Sequence, residues 1–139
     1  MLHRLIYCSQ NRIAGAVPQI NAEIETLLAS SRKNNALQNV TGALLFNGEA
    51  FAQVLEGPRS AVDAIYSSLC KDPRHSHIVL LEITDIGVRD FWNWSMAYSG
   101  PETDNALYRA LRLEDIQVDP LGVAHRILAY LKNMVNAYL

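Results

Sequence analysis

The stretch NVTGALLFNGEAFAQVLEG, residues 39–57, predicts two β-strands joined by a tight turn. Asn47-Gly48 separates two apolar runs, and Asn-Gly is the strongest short-range signal for a two-residue hairpin turn. Counting back from such a turn places Gly42 opposite Gln53. We therefore predict a hairpin with one polar group beside a residue that has no side chain.

Gln53 lies on the same face of this strand as Phe51 and Leu55. A buried amide without a hydrogen-bond partner costs about 1–3 kcal/mol, so Gln53 requires partners. Two interpretations remain open at this point. Gln53 bonds a neighbouring backbone group, or it binds a ligand with hydrogen-bonding edges in the space beside Gly42.

The segments before the hairpin predict a strand followed by a helix. Residues 2–9, LHRLIYCS, have the composition of a strand with Leu5 and Tyr7 on one face. Pro18 can begin a helix. Apolar residues then recur at helical spacing, and the helix should end near Asn34–Asn35, because asparagine tolerates the left-handed conformation found beyond helices.

The segments after the hairpin predict a helix and two strands. Residues 57–75 have a helical apolar stripe that Pro73 should end, with Ser60 and Asp63 as a capping pair. Residues 77–84, HIVLLEIT, predict a fourth strand. Residues 90–98, DFWNWSMAY, predict a fifth, on which Trp92, Trp94, Met96 and Tyr98 would share a face. The order βαββαβ plus one strand predicts an α+β, ferredoxin-like sheet with two helices on one face.

The C-terminal part of the chain predicts helices over residues 102–116 and 119–139. The face of the hairpin away from Gln53 is too apolar to be left in water, so we expect the last helix to cover it; pairing with another subunit is the alternative. That helix carries one apolar stripe, formed by Leu121, Ile127, Leu128, Leu131, Met134, Val135 and Tyr138.

Composition excludes several classes of protein. The 139 residues carry a formal net charge of −2, which does not favour binding to nucleic acid or to an anionic membrane. No apolar run approaches the roughly 20 residues that span a bilayer. Cys8 and Cys70 are expected to be free thiols in the cytoplasm.

Tyr7, Asn34 and Asn35 are candidates to act with Gln53 at one site. Tyrosine, asparagine and glutamine form an uncharged cluster without a general base, which suits holding a heterocycle better than hydrolysis. A metal centre is not expected, because His75 and His77 lack a third ligand at suitable spacing.

Five motifs together resemble the BLUF domain, the blue-light sensor that uses FAD. They are RLIYCS, SRKNN with NVTGALLF, FAQVLEGP, DPRH and RDFWNWSM, and they occur in the family's order over residues 2–98. The resemblance implies a flavin-binding photosensory domain over residues 1–98, with residues 99–139 as a helical extension packed on it.

The resemblance also implies the cofactor and the role of each site residue. FAD would be bound noncovalently between the two helices, with Tyr7 as the photochemical tyrosine and Gln53 between it and the flavin. The remaining expected positions are Asn34 and Asn35 at the polar edge of the ring; Leu27 and Leu69 over its faces; Arg32, Lys33, Arg74 and His75 at the ring edge or the ribityl-phosphate tail; and Trp94 and Met96 in signalling.

The function implied is that of a photoreceptor without enzymatic activity. Light would move an electron and a proton from Tyr7, Gln53 would rotate or tautomerise, and the signal would pass to a separate partner protein, with the chain expected to be a homo-oligomer. The alternative is a light-independent ferredoxin-like module that binds a small regulatory ligand. An acylphosphatase-like hydrolase is disfavoured, because the sequence shows no anion-binding loop with an arginine.

Overall fold

The computed structural model describes residues 1–100 and 113–136, and for residues 113–115 the backbone alone. The elements are β1 (Leu2–Asn11), α1 (Val17–Leu37), β2 (Thr41–Phe46), β3 (Ala50–Pro58), α2 (Arg59–Leu69), β4 (His75–Ile86), β5 (Ala97–Ser99), α3 (Leu113–Val118) and α4 (Pro120–Asn136).

The five strands form one sheet in the order β4-β1-β3-β2-β5. The first four are antiparallel to their neighbours, and β5 runs parallel to β2. The order 4-1-3-2 with helices after β1 and β3 is the ferredoxin-like arrangement. The predicted α+β fold is confirmed, and its two central strands, β1 and β3, bring Tyr7 directly opposite Gln53.

The predicted register of the hairpin was wrong by two residues. Leu44, not Gly42, lies opposite Gln53. The turn is longer than two residues because Asn47 Oδ1 accepts hydrogen bonds from the backbone amides of Glu49 and Ala50, at 3.0 and 2.8 Å. A shift of two preserves the faces of the strand, so Gln53 still points to the side on which it was predicted.

Gly42 allows close packing between the backbones of β2 and β3 and does not leave space for a ligand. It lies opposite Leu55, and a Cβ atom at Gly42 would be 2.0 Å from the carbonyl oxygen of Val54. Its amide donates to the carbonyl of Trp94 at 3.0 Å. The prediction that Gly42 leaves free volume beside Gln53 was therefore wrong.

Each face of the sheet has its own hydrophobic core. The first, here the helix-side cluster, packs against α1 and α2; the second, here the α4-side cluster, packs against α4. The helix-side cluster consists of Leu5, Tyr7, Ile24, Leu28, Val40, Leu44, Phe46, Phe51, Leu55, Val62 and Met96. The α4-side cluster consists of Ile6, Cys8, Ala43, Leu45, Ala52, Val54, Leu81, Phe91, Ala97, Ile116, Val123, Ala124, Ile127, Leu131 and Val135.

The prediction that the last helix covers the second face of the sheet is confirmed. Ile127 and Leu131 are fully buried against it, and Leu128 and Met134 pack at its margin. Leu121 was wrongly included in the stripe, because it lies near the start of α4 and is exposed. Tyr138 and most of the helix predicted over 102–116 lie outside the described residues.

The predicted fifth strand was too long, because only Ala97–Ser99 pair with β2. The preceding residues form a loop in which the Trp94 amide donates to the carbonyl of Phe91 at 2.8 Å. Trp92 is consequently exposed, and Trp94 and Met96 do not share a face.

The ends of the two helices near the site differ from the prediction. Helix α1 continues past Asn35 to Leu37, and the left-handed residue is Asn39, with φ of 58°. Helix α2 ends at Leu69, before Pro73, and its first turn has no side-chain cap, so Ser60 does not form the predicted capping pair. The longer α1 buries Asn35 within its last turn.

Two further sequence expectations can be compared with the described residues. Within 1–100 and 113–136, no helix is both long and apolar enough to cross a bilayer. Both cysteines are free thiols, with Cys8 buried and Cys70 exposed.

Candidate functional site

Tyr7 and Gln53 form a buried hydrogen-bonded pair at the centre of the sheet. The Tyr7 hydroxyl donates to Gln53 Oε1 at 2.5 Å, and Gln53 Nε2 donates to the sulfur of Met96 at 3.5 Å. Strand pairing places the two side chains opposite each other on the same face, so their contact follows from the register. The amide thus has one partner on its oxygen and another on its nitrogen.

The surroundings of Tyr7 keep its phenol neutral. Burial raises the pKa of Tyr7 well above its ordinary value of 10.0, and charge on Tyr66 would raise it further. Loss of a proton from Tyr7 is therefore unfavourable unless an electron leaves as well.

A groove between α1 and α2 leads from the surface to this pair. Its inner end contacts Tyr7 and Gln53, and its outer part, about 270 Å³, lies between the two helices. Leu27 and Leu69 line both parts, so the groove has an apolar side chain on each helix. The outer part also has polar groups, contributed by Ser30, Ser31, Asn34, Asn35, Gln38 and Ser68.

Asn35 and Arg32 join α1 to the segment that enters β5. Asn35 Nδ2 donates to the Ser95 carbonyl at 2.8 Å, and Arg32 Nε donates to the Met96 carbonyl at 3.0 Å. Both were predicted to contact the flavin. In this structure Asn35 lines the groove and also holds Ser95, whereas Arg32 contacts β5.

His75 lies behind Tyr7 and is fixed at both ring nitrogens. Nε2 donates to the Leu69 carbonyl at 2.5 Å, which leaves Nδ1 as the acceptor for the Ser9 hydroxyl at 2.6 Å. Its ring meets that of Tyr7 edge-on, with centroids 6.0 Å apart. His75 lines the inner end of the groove, and it holds the end of α2 against β1.

Arg74 lines both parts of the groove but is paired with acids. Its guanidinium contacts the Asp72 carboxylate at 2.6 Å and Glu23 at 3.6 Å. Hydrogen bonds from Arg74 hold the pKa of Asp72 below its ordinary value. Glu23 belongs to α1 and Arg74 follows α2, so the ion pair bridges the groove.

Asn34 and Lys33 are both exposed, and they differ in their relation to the groove. Asn34 lines the groove, as the resemblance implies. Lys33, its neighbour on α1, is not among the residues that line it. Ser31 and Gln38 were not singled out from the sequence, although their spacing of three and four residues from Asn34 and Asn35 places them on the same side of the helix.

Trp94 and Met96 lie on opposite faces of the sheet. Met96 is buried in the helix-side cluster, where it contacts Gln53, and Trp94 is half-buried against the α4-side cluster. The segment 94–96 therefore reaches both faces of the sheet.

Glu56 is a functional candidate that the sequence did not reveal. It is completely buried at the end of β3. Its carboxylate accepts hydrogen bonds from the Thr41 hydroxyl at 3.0 Å and from the backbone amides of Asp90 and Phe91 at 2.9 and 2.6 Å. Glu56 thus fixes the loop that leads to Trp94.

The described residues contain no group of three or more His, Cys, Asp and Glu side chains arranged to hold a metal ion. His77, the suggested partner of His75, is exposed and contacts the Ser76 hydroxyl at 3.0 Å.

Comparison with known proteins identifies the family. The model of the BLUF family, sensors of blue-light using FAD, matches residues 2–97. The chain belongs to the BLUF family. Its fold is therefore that of a blue-light sensor domain, and FAD is the cofactor that this family uses.

Relatives of this BLUF chain include whole light-regulated proteins and single domains. It is 44% identical over 81 residues to the blue light- and temperature-regulated antirepressor BluF of Escherichia coli strain K12, covering 58% of this chain and 19% of the antirepressor. The dark-state structure of the BLUF protein BlrB has a TM-score of 0.75 at 33% identity and covers 99% of this chain and 97% of its own. A bacterial light-regulated adenylyl cyclase has a TM-score of 0.69 at 30% identity, covering 94% of this chain and 36% of the cyclase.

The residues of the groove fit FAD. Leu27 and Leu69 would offer an apolar side chain from each helix to a flat ring, and the amides of Asn34 and Asn35 would offer donors and acceptors to a polar edge. At the inner end of the groove, the Gln53 amide would be available to hydrogen-bond a ligand beside Tyr7. The paired cation at Arg74 is half-buried and lines both parts of the groove.

Proposed function

We propose that this chain senses blue light through Tyr7 and Gln53 and transmits the state of Gln53 to β5. The observation that supports this most strongly is the chain of contacts from the Tyr7 hydroxyl through the Gln53 amide to the Met96 sulfur. A glutamine amide can present oxygen or nitrogen to the same neighbour, so it has two alternative bonding patterns. The pair is a two-state element that light can bias.

Bound FAD would supply the absorption of blue light and an acceptor for one electron. Tyr7 would lose an electron and pass its proton along the 2.5 Å hydrogen bond to Gln53. Rotation or tautomerisation of the Gln53 amide would then break its bond to Met96. Return of the electron and proton to Tyr7 in the dark would restore the first pattern, and no substrate would be consumed.

The residues proposed to hold the flavin divide into three groups. Tyr7, Gln53, Leu27, Leu69, Asn34 and Asn35 would contact the ring, because all six line the groove. Arg74 and His75 would shape the inner end, and Arg32 and Lys33 remain candidates for the outer parts of the cofactor.

We infer that the output passes from β5 to the α4 side of the sheet. Trp94 packs against the α4-side cluster, and two polar contacts join α4 to β4 and the loop after it: His125 with Glu82 at 3.2 Å and Lys132 with Asp90 at 3.3 Å. A change at Met96 would reach α4 through this segment. The antirepressor and the cyclase are named for light-controlled outputs.

We also propose how the chain acts in the cell and how it is divided into domains. The chain would act as a sensor without enzymatic activity, in the cytoplasm, on a separate effector protein and as a homo-oligomer. Residues 1–98 would form the sensory domain and residues 99–139 its helical extension.

Absorption spectra of the purified chain with FAD test the proposal. The wild-type protein should bind flavin and show a red shift under blue light that reverses in the dark. Gln53→Ala and Tyr7→Phe should bind flavin without the reversible shift, whereas Gln10→Ala, an exposed glutamine on β1, should behave as wild type. Full photocycling in Gln53→Ala would exclude the proposed role of that amide.

A further inference from the structure

Tyr7 has a second tyrosine beside it, Tyr66 of helix α2. The ring centroids of Tyr7 and Tyr66 are 5.7 Å apart, and the planes are inclined by 52°. Tyr66 comes from the middle of α2, four residues after the buried Val62, so helical spacing turns it towards the sheet. Tyr66 is not among the residues that line either part of the groove, whereas Tyr7 lines its inner end, so Tyr66 contacts the site through Tyr7.

Tyr66 is the suitable electron donor among the rings that contact Tyr7. Within residues 1–100 and 116–136, the other ring in contact with Tyr7 is that of His75. Its two nitrogens are both hydrogen-bonded, and an imidazole is much harder to oxidise than a phenol. Tyr66 has the same chemistry as Tyr7, so electron transfer between them is nearly balanced in energy. Contact between the rings provides the coupling.

The two phenols differ in their access to water. Tyr7 is 2% exposed and its hydroxyl contacts Gln53, whereas Tyr66 is half-buried and has the exposed Cys70 as a neighbour. Burial, and to a smaller extent the neighbouring Cys70, raises the pKa of Tyr66 to about 12. Tyr66 is thus protonated at neutral pH, but on oxidation its proton has a short path to solvent.

We propose that Tyr66 is a second redox-active tyrosine, which can donate an electron to Tyr7 after light has oxidised it. This inference rests on the proposed function of Tyr7. In the step, one electron passes from Tyr66 to the Tyr7 radical, and the proton that Tyr7 gave to Gln53 returns to Tyr7. The phenol proton of Tyr66 goes to water beside Cys70, which leaves a neutral radical on Tyr66 and the original electron on the flavin.

The step competes with the return of the electron to Tyr7. Once Tyr66 has reduced Tyr7, the phenol of Tyr7 is restored and can no longer recombine with the flavin. Each such event removes one molecule from the reversible photocycle until Tyr66 is reduced again. Tyr66 therefore sets an upper limit on the yield of the signalling state.

Electron paramagnetic resonance of the full chain loaded with FAD and frozen after blue-light exposure tests this proposal. Tyr66→Phe keeps the ring and its packing but removes the phenol. The matched control is Tyr130→Phe, on α4 at the opposite face of the sheet. We expect a persistent tyrosyl radical in wild type and Tyr130→Phe, its loss in Tyr66→Phe, and a higher yield of the reversible red shift in Tyr66→Phe.

The outcomes separate this inference from the function on which it rests. A normal red shift with the same persistent radical in Tyr66→Phe, or with no persistent radical in wild type, overturns the role of Tyr66 and leaves the photoreceptor intact. Flavin binding without any red shift in wild type overturns the proposed function and the inference with it.

Discussion

Gln53 is held from two sides, by the hydroxyl of Tyr7 on its oxygen and by the sulfur of Met96 on its nitrogen. The bond to Tyr7 is short, at 2.5 Å, and the bond to sulfur is long, at 3.5 Å. Because sulfur is a weak acceptor, the nitrogen is the more easily released end of the amide. We therefore expect the change between the two hydrogen-bonding patterns of Gln53 to begin with release of its nitrogen from Met96.

Met96→Leu should slow the return to the dark state. Leucine fills a similar volume, so stability should fall by less than about 1.5 kcal/mol. The substitution removes the hydrogen bond from Gln53 to the Met96 sulfur, which the dark state has and the lit state lacks. Because only the dark state is destabilised, we expect thermal recovery to slow roughly two- to fivefold. Recovery is followed by absorption after a light pulse. Met134→Leu, at the margin of the α4-side cluster, serves as the control, and faster recovery in Met96→Leu would contradict the role of the sulfur.

Arg32→Gln should loosen β5 while flavin binding persists. The side chain of Arg32 holds the Met96 carbonyl at 3.0 Å from the neighbouring helix α1. Without that bond, amide hydrogen exchange at Ala97–Ser99 should accelerate. Arg126→Gln, an exposed arginine on α4, is the control. If Arg32→Gln abolishes flavin binding and leaves exchange unchanged, Arg32 belongs to the cofactor site instead.

Glu56→Gln should destabilise the fold and free the loop before β5. The carboxylate accepts bonds from the amides of Asp90 and Phe91, and an amide side chain would present a donor to one of them. We expect a loss of about 3 kcal/mol in the free energy of unfolding by urea. Glu49→Gln, an exposed position at the hairpin turn, should change it little. Equal stability of the two variants would rule out the anchoring role.

Asp72 should stabilise the site in a pH-dependent manner. Hydrogen bonds from Arg74 lower its pKa in the folded state, so its contribution is fully present above the unfolded value, 3.8, and is lost as the pH falls through the folded pKa. Asp72→Asn should therefore destabilise the protein at about pH 6, and the destabilisation should be smaller at about pH 3. Urea unfolding at the two pH values measures this. Asp63→Asn, which removes an exposed 3.7 Å ion pair with Arg59, should show a smaller difference, and equal differences would contradict the assignment.

The sequence predicted the fold correctly where alternation of apolar residues or a helical apolar stripe determines which face of an element is buried. Alternation within β1 and β3 was sufficient to place Tyr7 and Gln53 on one face, and the apolar stripe of α4 indicated the face that it covers. The register of the hairpin failed because it depends on how Asn47 bonds its own loop. An Asn-Gly pair does not distinguish a two-residue turn from this longer one.

The parts of the site that the sequence missed depend on long-range contacts. Glu56 is buried because Thr41 and the loop at Asp90 and Phe91 converge on it. The Met96 carbonyl is bound by Arg32, 64 residues away. Such contacts leave no local pattern, so neither the buried acid nor the short β5 could be inferred.

The central claim is that light changes the hydrogen bonds of Gln53, and light-minus-dark infrared spectroscopy tests it most directly. The flavin-loaded chain would be compared with and without isotope-labelled glutamine side chains, and with Gln53→Ala as the reference. We predict an isotope-sensitive amide band that shifts on illumination, reverses in the dark and is absent from Gln53→Ala. A reversible red shift of the flavin with no change in any glutamine band would contradict the account.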